Sequence, residues 1–324
     1  MKNSGIELDD LDKTILAYLQ RDGRIPYTSI AEVLGVSSGT IRRRAKRLED
    51  EGYLQIVGVA DPFRTGIDTV IFFSLKVQRA CIKQVMEELS KLDEVYYAAY
   101  ATGAFDVIGI AMFRSRRDLL RFMDKDLSAV KGIRETDVAL LLEIRKQTYD
   151  WAPWGENIDN ETEKCKSPST AGGLERQLDE VDKEIIRYLQ VDGRCSFAEI
   201  AARLHLTERT IRRRASELRQ AGILRIVGVT NPFRVGMNTV AVVGVRVDRQ
   251  NISEILSRLC SLREIRYVAL STGVYDLIFE AVLPTNSDLK DFLVDRLSQI
   301  EGIVQTDTSL VLEIRKQKYS WGTG

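Results

Sequence analysis

Residues 37–48 read Ser-Ser-Gly-Thr-Ile-Arg-Arg-Arg-Ala-Lys-Arg-Leu, a spacing that predicts one short helix. Ile41, Ala45 and Leu48 recur at i, i+4 and i+7 and build a single apolar stripe. At roughly 100° per residue Arg43 points away from that stripe. Lys46 and Arg47 share its outward side, with Thr40 and Arg42 flanking. Ser37 or Ser38 can cap the N-terminus by accepting a hydrogen bond from a free backbone N–H. A helix with a dry back and a cationic front has the shape and charge to enter a DNA major groove. Taken alone, such a helix is more often a solvated basic face; the residues around it reverse that reading.

Upstream, Asp9 to Arg21 is amphipathic, with Leu8, Leu11, Ile15, Tyr18 and Leu19 on one face and Asp22-Gly23 as a stop. Tyr27 to Leu34 predicts a second short helix, and Gly35-Val36 a tight turn into the third. Leu54 to Val59 follows as a short strand. Three helices with a tight turn before a cationic third helix predict a helix-turn-helix. Beyond it, Thr69 to Val77, Val95 to Ala101, Asp106 to Phe113 and Ile133 to Lys146 predict strands. Cys81 to Leu92 and Arg116 to Leu127 predict helices. The order is βαββαβ, a ferredoxin-like pattern.

The whole arrangement occurs twice at an offset of 170 residues. Leu8–Arg24 and Leu178–Arg194 agree at 11 of 17 positions, as do Leu54–Val70 and Leu224–Val240. Leu142-Glu-Ile-Arg-Lys-Gln147 returns unchanged as Leu312 to Gln317. The expected domains are therefore residues 1–60 and 175–230 (helix-turn-helix) and 61–154 and 231–324 (βαββαβ). Residues 155–174, rich in polar residues, Pro168 and Gly172-Gly173, form a flexible linker. Tyr149, Trp151, Pro153 and Trp154 are expected to pack back on the first copy.

Composition narrows the function. Lys plus Arg and Asp plus Glu both number 47, so affinity for nucleic acid must come from local patches. Cys81, Cys165, Cys195 and Cys260 form no CxxC pattern, and His205 is the only histidine. Catalytic triads, zinc sites and His general bases are thereby disfavoured. No catalytic residue, metal or cofactor is assigned. No apolar run reaches the roughly 18 residues of a membrane span, and the first residues have no signal-peptide core; a soluble, cytoplasmic protein is expected.

The motifs Leu8-Asp-x-x-Asp-Lys, Asp22-Gly-Arg24, Ile30-Ala-x-x-Leu-Gly-Val-Ser37, Ile41 through Leu48, Asp61-Pro62 with Gly66, and Thr102-Gly-x-x-Asp106 occur in this order. The ordered set resembles the leucine-responsive regulator (Lrp/AsnC) family, over nearly all of the chain outside the linker. The resemblance implies an α+β fold: two copies of a winged helix-turn-helix domain, each followed by a ferredoxin-like domain. It also implies a transcription regulator of double-stranded DNA, and back domains that pair subunits into homodimers or higher homo-oligomers. An effector, often an amino acid, would bind between subunits near the Gly-x-x-Asp turn. Carried over, this points to Thr102, Gly103 and Asp106 in copy one and Thr272, Gly273 and Asp276 in copy two. The family's last strand often carries two alternating threonines. Copy two has Thr306 and Thr308 there, whereas copy one has Thr136 and Val138, so copy one is expected to bind differently or not at all.

On the DNA face, Ser38, Thr40 and Arg43 are candidate base contacts, and Arg42, Lys46 and Arg47 phosphate clamps. Arg44, nearer the apolar stripe, is read as structural, and Tyr27 as touching the DNA backbone or packing. Copy two keeps Thr210, Arg212 and Arg213 and adds Arg209, but has Ser216 and Glu217 in place of Lys46 and Arg47. Residues 37–48 carry five positive charges and no negative one; residues 207–218 carry four and two. Two unequal readers are expected, paired within one chain as a pseudo-dimer or between chains. The rival is an enzyme on the same architecture, since siroheme decarboxylases resemble this family and occur as paired or fused units. Those are expected to use His and Arg at the porphyrin, whereas the hinge Val57 to Arg64 has an Arg and no His. A third reading is an effector sensor whose DNA heads have decayed.

Overall fold

The computed structural model describes residues 8–149 and 177–321. The expected linker 155–174, with Cys165, Pro168 and Gly172-Gly173, lies outside the described residues, as do Trp151, Pro153 and Trp154. The chain forms two compact units. One holds both helical heads (8–60 and 177–238, with 148–149); the other holds both strand-rich halves (61–147 and 239–321).

In the head unit the first copy contributes α1 (Asp10–Arg21), α2 (Tyr27–Leu34), α3 (Ser38–Asp50) and β1 (Gln55–Ala60). Asp9 caps α1 by accepting from Asp12 N at 2.8 Å, and Gly35 leaves α2 with φ of 65°, the left-handed turn that glycine tolerates. The strands of the other unit are β2 (Thr69–Val77), β3 (Val95–Ala101), β4 (Val107–Phe113) and β5 (Ile133–Gln147), with α4 (Ile82–Lys91) and α5 (Arg116–Arg121) between them. The second copy repeats the series. Its head has α6 (Glu180–Val191), α7 (Phe197–Leu204), α8 (Glu208–Gln220) and β6 (Leu224–Val229). Its strand-rich half has β7 (Thr239–Val247), α9 (Ile252–Ser261), β8 (Ile265–Ser271), β9 (Leu277–Leu283), α10 (Asn286–Asp291) and β10 (Ile303–Gln317).

The copies are not separate bodies. In the head unit β1 pairs antiparallel with β6, Val57 opposite Val227. The strand after each third helix is therefore paired with its counterpart. In the other unit the eight strands close into one antiparallel barrel, in the order β10-β3-β4-β2-β5-β8-β9-β7. Strand length explains the closure. β5 runs 15 residues beside neighbours β2 and β8 of 9 and 7. Its first half pairs with β2 of its own copy, from Ile133 to Leu141, and its second half with β8 of the other copy, from Leu141 to Gln147. β10 does the same with β7 and β3. Closure removes the open sheet edges that would otherwise seek a partner.

Each half keeps its own core on the outer face of the barrel. Ile71, Phe73 and Leu75 pack with Val85, Met86 and Leu89 of α4, and Phe113 meets Phe122 at 5.1 Å between ring centroids. In the second half Val243, Val245, Leu256, Leu259 and Phe279 form the equivalent cluster.

Candidate nucleic-acid interface and the turns at the barrel seams

Ser37, not Ser38, caps α3, accepting from Thr40 N at 3.1 Å, and its hydroxyl lies 2.9 Å from that of Thr40. Thr207 does the same for α8 with Thr210. The apolar stripe closes as the spacing predicts: Ile41, Ala45 and Leu48 are fully buried, and Ile211, Ala215 and Leu218 repeat this. Ser38, Arg42, Arg43 and Lys46 are exposed, Thr40 half-buried. Arg209, Arg212 and Arg213 are exposed on α8.

The basic face of α3 differs from expectation at Arg47. Its guanidinium reaches back to Asp12, 2.6 Å from Oδ2, while Arg44 holds Asp12 Oδ1 at 3.0 Å and Asp9 Oδ2 at 2.5 Å. Asp12 is almost fully buried, so the two arginines neutralise a carboxylate that would otherwise be costly to desolvate. The hydrogen bond from Arg44, with that from Asp12 N, holds the Asp9 carboxyl below its ordinary range. Arg47 is thus a strut between α3 and α1, and its charge is already matched. In the second head Arg214 repeats Arg44 with Asp179 at 2.7 Å and Asp182 at 2.9 Å.

The remaining cations are used unequally. Arg42 and Arg43 make no ion pair among the described residues, and Lys46 pairs with Asp50 at 3.3 Å. On α8, Arg212 pairs with Glu208 at 2.5 Å and Arg213 pairs with Glu217, both within the helix. Only Arg209 among those three is without such a pair among the described residues.

The heads are clasped through the Asp-Gly-Arg motifs at residues 22–24 and 192–194. Gly23 N donates to Ile226 O and Gly193 N to Ile56 O, each at 2.8 Å. A Cβ on Gly193 would lie 2.9 Å from Val57 N and one on Gly23 2.7 Å from Ile56 Cγ2, so neither has room for a side chain. Arg24 donates to Gly193 O at 2.7 Å and stacks on Phe197 at 4.2 Å. Reciprocally, Arg194 donates to Ile25 O at 3.0 Å and stacks on Tyr27 at 4.1 Å. Tyr27 is accordingly a packing residue. The exchange is asymmetric at its rim. Asp22 pairs with Arg219 at 3.2 Å, whereas Glu49, at the position equivalent to Arg219, has its carboxyl pushed up by burial and by the neighbouring Asp192, against the pull of Arg194. Tyr149, expected against the first copy, has Arg225 of the second over its ring at 6.0 Å.

In the barrel the Thr-Gly-x-x-Asp turns lie at the seams between copies. Thr102 N donates to Leu310 O at 2.9 Å and its Oγ1 accepts from Leu310 N at 3.3 Å; Thr272 makes the same pair with Leu140. Asp106 and Asp276 accept from the backbone N–H of Val77 and Val247, at 2.8 and 3.1 Å. Those carboxylates therefore tie the turn to its own sheet. Gly103 and Gly273 have φ of 104° and 99°. A Cβ on Gly103 would meet Ser309 Oγ and Thr308 O at 3.3 Å, and one on Gly273 would meet Ala139 Cβ at 3.9 Å. The strand carrying Thr306 and Thr308 borders both turns: Thr308 O and Ser309 lie against Gly103 of copy one, and Tyr275 of the copy-two turn meets Asp307 between the two threonines. Copy two's turn faces Val138 and Ala139.

A profile described as winged helix-turn-helix DNA-binding matches residues 8–55, and one for the AsnC-type helix-turn-helix domain matches 178–219. The Lrp/AsnC ligand binding domain matches twice, at 70–151 and 240–321, together just over half of the chain. The chain belongs to the Lrp/AsnC family. A Pyrococcus furiosus protein described as an uncharacterized HTH-type transcriptional regulator is 37% identical over 144 residues, covering 44% of this chain and 97% of its own. The HTH-type transcriptional regulator FL11 of the same organism is 36% identical over 141 residues, 43% of this chain and 93% of its own. Among solved structures, the siroheme decarboxylase NirDL in co-complex with an iron-uroporphyrin III analogue superposes with a TM-score of 0.63 at 18% identity, over 97% of this chain and 95% of that one. That likeness concerns the fold.

As a member of the Lrp/AsnC family the chain is a DNA-binding transcription regulator with ligand-binding domains, and each single-unit relative corresponds to one of its copies. Its pseudo-twofold pairing is carried by one polypeptide. Sequence spacing did not single out Arg24 and Arg194 of the clasp, nor Lys146 and Lys316, whose ammonium groups donate to Leu262 O and Leu92 O of the opposite copy. All sit in motifs repeated unchanged between copies, Asp-Gly-Arg and Leu-Glu-Ile-Arg-Lys-Gln. That identity was the available signal for surfaces that face each other. No helix among the described residues is long and apolar enough to cross a membrane.

Proposed function

We propose that the protein binds an asymmetric double-stranded DNA site through two unequal reading helices, under the control of a small effector such as an amino acid. Ser38, Thr40 and Arg43 would read bases on the α3 side, with Arg42 and Lys46 on phosphates and Arg47 adding less because Asp12 holds it. Arg209, Thr210, Arg212 and Arg213 would form the weaker second reader. Thr102, Gly103 and Asp106, and Thr272, Gly273 and Asp276 with Thr306 and Thr308, would frame the effector seams. Asp106 and Asp276 act there by shaping the turn. The division at residues 60, 154, 174 and 230, a cytoplasmic location and assembly of further copies of the chain belong to the same reading, and no catalytic role is included.

The observation that carries it is the unequal pairing of charge: Arg42 and Arg43 stand without ion pairs among the described residues, while Arg212 and Arg213 are matched by glutamates of their own helix. Unmatched cations release more counterions on binding phosphate. The test is to select bound fragments of genomic DNA and measure affinity against salt for wild type, R42Q/R43Q and R212Q/R213Q. The first variant should flatten the slope by about 1, from the phosphate contact of Arg42, and relax base preference where Arg43 reads; the second should flatten it by clearly less. Equal losses would sink the asymmetry, and no salt-dependent binding in wild type would sink the DNA reading. The siroheme decarboxylase fold likeness supplies the second reading; a spectral shift on mixing the protein with siroheme, followed by loss of carboxylate, would favour it.

A further inference from the structure

The inner wall of the barrel carries one row of side chains unlike its neighbours. By register, Phe72 stands opposite Ile110 and Ile110 opposite Tyr97 in the first half; Val242 stands opposite Glu280 and Glu280 opposite Tyr267 in the second. Phe72, Tyr97, Ile110, Tyr267 and Glu280 are only half-buried. The inward residues on either side are closed: Val70, Met112, Val240 and Val282 along one edge, Ile108 and Ile278 along the other. The outer face of the same strands is covered by helices. The surface left on this row therefore faces a space inside the barrel.

Glu280 is the chemical anomaly of that space. Its twin in the first half is Ile110, so the position does not require a carboxylate for folding. Among the described residues its carboxylate has no hydrogen bond or salt bridge. Burial pushes the carboxyl up to about 7, and the field of Arg266 only partly opposes this. The Tyr97 hydroxyl, which feels Glu280, is also buried without a hydrogen-bond partner. Keeping an unmatched acid where an isoleucine fits costs stability, and such groups concentrate where something binds. Tyr267 stands opposite it in register and Tyr97 feels its charge, and with Phe72 and Ile110 of the same inward row they offer a lining suited to an apolar body and to a cation.

We propose that the barrel encloses a binding site for a small apolar amine, its ammonium group held by Glu280 and its body lying against Phe72, Tyr97, Ile110 and Tyr267. The site lies on the inner wall, on residues other than those of the seam turns, and it is single because only one half supplies the carboxylate. A charge-assisted hydrogen bond in a dry interior gives the amine its grip, and the aromatic faces complement the same charge.

The test uses the whole chain and calorimetric titration with 2-phenylethylamine, alongside 3-phenylpropionate, which keeps the ring and reverses the charge. Wild type should bind one amine per chain and not the carboxylate. E280Q should weaken the amine roughly tenfold or more. E280I, which installs the residue of the other half and so retains the fold, should abolish it. No saturable binding of the amine to wild type, or undiminished binding by E280I, overturns the proposal. Neither outcome depends on DNA, so this site and the regulatory reading stand or fall separately.

Discussion

The ammonium group of Lys146, on the last strand of the first copy, donates at 2.8 Å to the carbonyl oxygen of Leu262, which closes α9 of the second copy; it reaches Cys260 O at the same distance. Lys316 mirrors it across the barrel, donating to Leu92 O at 2.5 Å beyond the end of α4. Each copy thus satisfies the free carbonyls and the negative end of a helix dipole in the other. Lys146→Met keeps the aliphatic stem and removes the donor. It should cost about 1–3 kcal/mol, seen as a lower urea midpoint, whereas Lys83→Met should change little.

Lys316 also has a signature in pH. Burial pushes its amine down to about 8, Lys318 adds to the shift, and Asp93 opposes it. Between about 8 and the ordinary 10.5 the unfolded chain holds the proton that the folded chain has released. Stability should therefore rise with pH across that window. The rise should disappear in Lys316→Met; a slope unchanged by the substitution would show that Lys316 is not its source.

Glu280 gives the opposite sign in a different window. Its folded value of about 7 stands above the ordinary 4.5, so the folded chain keeps the proton longer. The stabilisation is fully present below pH 4.5 and is lost as pH rises through 7, in all as much as about 3 kcal/mol. E280I should be more stable than wild type at pH 8, and the gap should narrow on acidification. Chemical denaturation of both proteins at pH 4.5, 6 and 8 reads this directly.

Gly193 and Gly35 separate two uses of glycine. A Cβ at 193 would stand 2.9 Å from Val57 N and 3.0 Å from Ile56 C, backbone of the opposite copy. Gly193→Ala should therefore force the clasped heads apart, at about 1–3 kcal/mol. Around Gly35 nothing lies within 4 Å, and its cost to replace is conformational, from a φ of 65°. Gly35→Ala should cost about 1 kcal/mol and leave the heads paired. Cross-linking between cysteines placed at Gln55 and Val229, which face each other, distinguishes the two effects.

His205 occupies in the second head the left-handed position that Gly35 holds in the first, with φ of 55°. His205→Gly should relieve that strain and raise stability by up to about 1 kcal/mol. A calorimetric scan that shows no gain would mean that the imidazole contributes as much as the strain costs.

Much of the local structure was legible. The stripe of Ile41, Ala45 and Leu48 and the strand patterns are short-range signals, and each element lies within a few residues of its expected bounds. At the proposed interface, the outward placement of Arg42, Arg43 and Lys46 followed from helical spacing. That of Arg47 did not, because its long side chain can reach Asp12, 35 residues away in sequence. That each turn also meets the last strand of the other copy, Gly103 beside Thr308 and Gly273 beside Ala139, was not legible along the chain.

From the sequence alone came the elements, the duplication, the family resemblance and the unequal charge of the two reading helices. These depend on residue type and on spacings of a few positions. Tertiary structure alone decided that the copies exchange partners: β1 with β6, β5 with β8, Arg24 with the second head and Arg194 with the first. Two copies of one pattern offer the same kind of local signal whether a strand pairs within its copy, with its twin or with another chain. The choice belongs to register and closure, which bury the surplus halves of β5 and β10. In the head unit the stretch from Ser37 to Leu48 is one of two matching helices whose following strands, β1 and β6, pair with each other.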